Sequence, residues 1–416
     1  MKSRSTSVDY DVFHPKSCQG ESLMPETSLL LAELDAFFKT ERQNMLSLLR
    51  ETVNRESGSN DIEDVTLFGD FLADICRNMG GKITRQTATA AGDPIACAFT
   101  DGSDSASRPI LLVCHRDTVF PHGTVAQRPY SEDEVCAYGP GVADMKGGIV
   151  AGIFAIKAIL ALRDIVGSIP VEIVFSSDEE IGSAVSGPFI AERCKTAKAA
   201  FFLEPARENG CLVIGRDGGD LLNLEVFGRS SHAGNAFAEG ISAITGLAGL
   251  IRDFSRLSND AEGYSVNVGL IGGGTGAIIV ADHAWARIYT RFSTMEQRDY
   301  LLERFRAIIA DHRQTGMRFV LSEPTGFLPF LPNEKNTRLY TLVRESGKQL
   351  GLEITGMRVR GAADAGIASC AGIPTICGMG PVGGNLHTDR EFMNKASLAE
   401  RAKLLTLAIV HANNRL

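Results

Sequence analysis

Histidines and carboxylates in this chain fall at the ends of apolar runs and beside glycine-rich turns, where a fold can hold reactive groups still. His115-Arg116-Asp117 follows the run ILLVC directly. Such a run reads as a strand buried on both faces, and its C-terminal end is where α/β sheets place their sites. A metal-bound imidazole needs its second nitrogen held, and Asp117, two residues on, could hold it; taken alone, the same residues read first as a satisfied surface pair. In GPGVADMKGG, Gly139–Gly148, glycines crowd around one acid, Asp144, before a helix begins. Glycine lets the backbone bring that carboxylate inward, although a plain turn with a solvated Asp has the same composition. SSDEEIGS follows VEIVF and carries adjacent acids, Glu179 and Glu180. Neighbouring residues point in different directions, so one could bind a metal while the other works on water as general base; taken alone, a solvated acidic turn accounts for the same residues. AAFFLEPA puts Glu204 at the end of a further apolar run, and GGNLHTDREFM puts His387 in a late loop. Singly, a solvated acid and a loop histidine account for both.

The combination is more specific than its parts. Two histidines and three carboxylates form the N/O ligand set that zinc, a borderline metal, prefers. An Asp144 carboxylate shared between two ions about 3.5–4 Å apart would make the two-metal arrangement of aminopeptidases.

These residues need a sheet to converge on. Helical spacing of apolar residues runs from Leu29 to Glu56 and from Asp61 to Met79. Short β-like runs follow, alternating with a small-residue helix at 147–162, so the fold class is α/β, a mixed and mostly parallel sheet flanked by helices. Near residue 214 the texture changes to LLNLEVFG, a helix, SVNVGLIGG, HAWARIYTRFS, a helix and MRFVLSE. That order predicts an α/β sandwich inserted at 214–325 into a discontinuous catalytic domain, 27–213 and 326–416. Residues 1–26 read as a loose polar extension.

Composition narrows the function. A net charge of −8 argues against nucleic acid as a partner. No apolar run reaches the roughly 20 residues of a membrane span. Nine cysteines without paired spacing argue against a disulfide framework and point to a reducing, cytoplasmic setting. Cys114, beside His115, reads as a buried apolar residue before it reads as a nucleophile.

The series HRDTV, GPGVADMKGG, SSDEEIGS, FLEP and NLHTDREF, in that order, resembles the zinc metallopeptidase family of glutamate carboxypeptidase, succinyl-diaminopimelate desuccinylase and aminoacylase. The GPG…ADxKGG form is similar to the glutamate carboxypeptidase branch. The resemblance covers roughly residues 30–412. It implies two zinc ions per subunit, with cobalt or manganese able to substitute. His115, Asp144 and Glu204 would hold one ion, and His387, Asp144 and Glu180 the other. By the same resemblance Asp117 orients His115, Glu179 is the general base on a water between the ions, and the Asp144-Met145 peptide is cis.

The inserted domain resembles that family's lid and dimerisation domain. The resemblance implies a homodimer in which His232, in SSHAG, stabilises the oxyanion of a neighbouring subunit's substrate. It also implies that Arg291 holds the substrate carboxylate. The expected function is hydrolysis of a peptide or amide bond in a small peptide or N-acyl amino acid with a free carboxylate. Alternatives on the same fold are an N-acyl-amino-acid deacylase or an N-carbamoyl amidohydrolase; a non-catalytic binding relative would not need Glu179. The chain departs from the family at Ile278, where an Asn is expected, at RGAADAG, Arg360 to Gly366, and at LSEPTGF, which offers no counterpart to a lid arginine. A glutamate-specific pocket is not implied.

Overall fold

The computed structural model of the chain describes residues 25–100, 108–312 and 316–416. Residues 1–24 of the expected polar extension lie outside them. The chain divides into two compact units. The first comprises Met1–Gly215, Pro332–Val359 and Ile367–Leu416; the second comprises Arg216–Leu331 and Arg360–Gly366.

The first unit is built on a six-stranded sheet in the order 82–85, 95–99, 171–176, 110–115, 199–202, 375–376. Its first two pairings are antiparallel and the remaining three parallel. Ile110–His115 runs through the middle and is buried at every position, as its unbroken apolar sequence demands. In register with it, His115 faces Ser176, and Val113 faces Phe202. Parallel pairing therefore brings the C-terminal ends of three strands to one edge. There the chain continues into His115-Asp117, Ser177-Glu180 and Leu203-Glu204.

Helix Gly148–Ala161 is apolar on almost every face and lies in the core with helices Pro25–Val53 and Lys395–Arg415. Its first residue has no room for a side chain, because a Cβ on Gly148 would stand 2.0 Å from the Leu203 carbonyl oxygen. Helix and strand thus meet backbone to backbone just below Glu204. Helix Ile62–Asn78 starts on Asp61, whose carboxylate accepts the Asp64 amide.

The second unit carries an antiparallel sheet in the order 265–273, 283–292, 218–227, 318–321. Its central strands alternate, His283–Phe292 along its whole length and Gly218–Phe227 from Asp220 on. Leu222, Leu224 and Val226 point into the core while Leu221 and Asn223 point out. Helices Ala243–Ser255 and Met295–His312 cover the inner face, meeting where the Phe254 and Phe305 rings lie 4.6 Å apart. The expected strand–helix–strand–strand–helix–strand order is observed for this sheet and its helices, with 231–232 and 279–280 pairing separately as two short strands.

This unit runs on past residue 325. Thr325–Phe327 pairs with the strand Gly218–Phe227, and Arg216 exchanges backbone hydrogen bonds with Phe330. Arg216 also donates to the Gly361 carbonyl at 3.0 Å, tying Arg360–Gly366 to the same unit. Sequence texture marks the end of the last alternating strand, whereas these pairings are made by a short segment with no periodicity of its own.

Replacing Gly148 with Ala should lower the unfolding free energy by about 2–3 kcal/mol or more, the upper range for overpacking against an immovable neighbour. Urea denaturation measures this, and an unchanged midpoint would mean that helix and strand can separate at no cost.

Candidate metal centre

Three strand ends and two loops deliver the groups. His115 closes its strand, and its Nδ1 donates to the Asp117 backbone carbonyl at 2.9 Å. A carbonyl only accepts, so Nδ1 carries the proton in the neutral ring and Nε2 presents a lone pair. That lone pair faces Asp144, with Nε2 3.1 Å from Oδ1. The other oxygen of Asp144 lies 3.1 Å from His387 Nε2. His387 Nε2 is also 3.2 Å from Glu180 Oε2, and His115 Nε2 is 3.9 Å from Glu204 Oε1. One carboxylate thus stands between two imidazoles, each with a further glutamate beside it.

The electrostatics call for positive charge. Burial raises the pKa of Glu180, and the hydrogen bonds to Asp144 and Glu180 push the His387 imidazole up to about 10. Burial opposes charge on His115, yet Asp144, Glu179 and Glu204 hold it well above its ordinary value. Burial likewise opposes charge on Asp144, but His115 and His387 keep it below the usual carboxylate range.

The donor set fits metal ions. Two ligands about 2.0–2.1 Å from one tetrahedral zinc lie about 3.3 Å apart, which is the scale of the separations here. Glu180 Oε1 is buried and has no hydrogen-bond partner among the described residues, a costly state for a carboxylate oxygen unless a cation takes it. His115, Asp144 and Glu180 offer ligand atoms that all lie within 4.8 Å of one another.

The Asp117 carboxylate has another occupation. Its Oδ1 is 3.7 Å from His115 Nδ1, whereas the backbone carbonyl of the same residue makes the short contact. The carboxylate accepts the amides of Glu179 and Glu180 at 3.1 Å each and the Ser59 hydroxyl at 2.8 Å. It therefore fixes the turn Glu179–Ile181 from which both glutamates project. Glu179 is buried there, next to Glu180.

Two further residues were not visible as site residues in the sequence. Glu391 is buried beneath the Gly139–Gly148 segment. Its Oε1 accepts the amides of Ala143 and Asp144 at 2.9 and 3.0 Å, and its Oε2 accepts the Gly141 amide at 3.0 Å. Burial pushes its pKa up to about 7. The Asp144-Met145 peptide held in this way is cis. Arg116 is the other. It turns under the sheet and donates to the carbonyls of Val65, Phe175 and Asp93 at 2.9, 2.9 and 2.7 Å. The run HTDREF holds three acids or bases besides Glu391, and nothing in its spacing singles that one out. Cys114 is buried, and burial pushes its thiol up, away from the nucleophilic thiolate.

His232 and Arg291 belong to the second unit. The exposed His232 ring accepts the amides of Gly234 and Asn235 at Nδ1, each at 3.1 Å. In the neutral ring the proton then sits on Nε2, so the side chain presents a donor. Beside it, Ile278 accepts the Ala233 amide through its carbonyl and exposes its side chain. Arg291 Nη2 donates to Asp260 Oδ1 at 3.1 Å.

Changing Glu391 to Gln puts an NH2 group against backbone amides that need an acceptor. Leaving one such amide unpaired costs about 1–3 kcal/mol, so unfolding free energy should fall by that amount. Denaturant titration of Glu391→Gln tests this; unchanged stability would mean that the Gly139–Gly148 segment holds itself.

Residues 111–411, well over half of the chain, match the profile of Peptidase family M20/M25/M40. Carboxypeptidase G2 of Pseudomonas sp. (strain RS-16) is 27% identical over 371 residues, 87% of this chain and 87% of that protein. Succinyl-diaminopimelate desuccinylase of Delftia acidovorans (strain DSM 14801 / SPH-1) is 26% identical over 305 residues, 68% of this chain and 76% of that one. The M20 family metallo-carboxypeptidase Sso-CP2 from Sulfolobus solfataricus shares the fold, with a TM-score of 0.70 at 18% identity over 89% of this chain and 99% of that chain. With the five motifs of the sequence gathered around one buried aspartate, the chain belongs to Peptidase family M20/M25/M40 and is a hydrolase of the metallopeptidase type.

Proposed function

We propose that this enzyme is a dizinc hydrolase of peptide or amide bonds in small substrates with a free carboxylate, carboxypeptidase- or dipeptidase-like. The observation that carries this is the Asp144 carboxylate shared between His115 and His387, with Glu179 alongside. His115, Asp144 and Glu204 would hold one zinc, and His387, Asp144 and Glu180 the other; cobalt or manganese would fit the same donors. Bound there, the ions supply Lewis-acid polarisation of the scissile carbonyl and ease deprotonation of the attacking water.

The remaining chemistry falls to the chain's own groups. Glu179 takes a proton from water as the oxygen adds to the carbonyl carbon, then gives it to the amine nitrogen as the C–N bond breaks. The products are a carboxylate and a free amine. Asp117 keeps Glu179 in place through its backbone amide. His232 of a partner subunit would donate Nε2–H to the developing oxyanion. Arg291 would exchange Asp260 for the substrate carboxylate, a charge-assisted bond of the same kind. Lid-to-lid homodimerisation would bring His232 to the neighbouring centre. A reducing, cytoplasmic setting suits buried free thiols such as Cys97 and Cys114. Among the described residues, no helix is long and apolar enough to cross a membrane.

Deacylation of an N-acyl or N-carbamoyl amino acid on the same fold is the second reading, and Ile278 together with the Arg360–Gly366 segment speaks against a glutamate-specific pocket in either case. Both depart from the family pattern in the second unit, where the substrate carboxylate would be read. Parallel assays on dipeptides and N-acyl amino acids separate the two.

Glu179→Gln should keep its zinc content and its fold while losing about 10²–10⁴-fold or more in turnover, the usual contribution of a general base. Wild-type enzyme should lose activity on chelation and regain it with zinc. Near-normal turnover in Glu179→Gln, or full activity after exhaustive chelation, would defeat the proposal.

Catalysis across the dimer can be tested by mixing His232→Ala subunits with Glu179→Ala subunits, each inactive alone. A mixed dimer then holds one intact site and should recover up to about half of wild-type activity. No recovery after verified subunit exchange would mean that His232 acts within its own chain or not at all.

A further inference from the structure

The sheet of the first unit collects histidine and carboxylates at the C-terminal ends of its parallel strands. Its N-terminal ends carry the opposite charge. A cavity of about 420 Å³ opens there, lined by Arg108, Lys198, Lys335 and Arg338 together with Pro374 and Leu416. Arg108 lies two residues before the strand Ile110–His115, and Lys198 immediately precedes Ala199–Phe202. Pro374 precedes Thr375–Ile376, while Lys335 and Arg338 project from the first two turns of helix Glu334–Gln349.

Four cations share this wall, and no acidic side chain lines it among the described residues. Each is tethered to a neutral main-chain carbonyl. Arg108 donates to Thr196 and Ala197, Lys198 to Asn413, Lys335 to Gly372 and Arg338 to Arg415. Those bonds hold the head groups at the cavity but cancel no charge, and each leaves further N–H donors to spare. Four cationic side chains with no acidic side chain beside them leave a surplus of positive charge along this wall. Such a surplus stands out in a chain whose net charge is −8. Like charges gathered in one concavity repel, and an anion seated among them relieves that repulsion.

We propose that this cavity is a binding site for a small phosphorylated molecule, separate from the metal centre. Its volume suits a small molecule and not a macromolecular segment. Two guanidinium forks match phosphate oxygens in pairs, and two ammonium groups add point charge around them. Binding there stabilises the folded enzyme by mass action and leaves hydrolysis at the other end of the strands unchanged.

The test is calorimetric titration of inorganic phosphate into the zinc-loaded enzyme, with succinate as a doubly charged carboxylate control. Saturable phosphate binding is expected, with succinate about tenfold weaker or more. In Lys335→Gln/Arg338→Gln, losing two charge-assisted bonds should weaken phosphate binding by about tenfold or more, with kcat/KM retained. Lys335→Gln alone, expected to show a smaller loss in the same direction, serves if the double variant does not fold. Equal phosphate affinity in wild type and variants would place the bound phosphate elsewhere, the metal centre included, and overturn the proposal. So would the absence of saturable binding, or succinate binding as tightly as phosphate.

Discussion

The site depends on holding one aspartate between two imidazoles, against its own desolvation and in the company of other acids. Asp144 cannot do this from a freely turning loop. Its amide, with those of Gly141 and Ala143, is anchored on the buried carboxylate of Glu391. Asp117 does the same for the opposite wall, taking the amides of Glu179 and Glu180. Asp144, Glu179 and Glu180 are therefore each positioned by another carboxylate acting on the backbone, not on the side chain. That division fixes the peptide groups without using the side-chain oxygens of Asp144 and Glu180, which face the two imidazoles.

Beneath them the sheet contributes rigidity. The Arg116 guanidinium joins three separate segments by bonding their carbonyls at Val65, Phe175 and Asp93. Gly148 lets the following helix sit directly on the Glu204 strand. Strand ends, turn and helix start are consequently tied together, as a centre built from separate strands requires.

Much of this was legible in the sequence, because it rests on local pattern. Unbroken apolar runs identified the central strands, helical spacing located the long helices, and glycines flagged the Asp144 loop. The five motifs pointed to the residues that the fold brings together. What stayed hidden rests on pairings between distant residues. Glu391 is one acid in HTDREF until the fold sets it under Gly141–Asp144. Asp117 suggested a partner for His115, yet its backbone carbonyl makes that contact and its carboxylate serves the glutamates 62 and 63 positions on. Thr325–Phe327 extends the second sheet with three residues, too few to show a period.

The distances along the chain have a consequence for how the protein is made. Asp144 meets His387 across 243 positions, and Glu391 reaches the Gly141 amide across 250. During synthesis from the N-terminus, His115, Asp144, Glu179, Glu180 and Glu204 all leave the ribosome before the entire second unit. The nascent chain must hold this acidic edge open while another unit is translated and folds. Closing so long a loop delays the contact, so the acids of this edge wait, without their last imidazole and without Glu391, until nearly the whole chain has emerged.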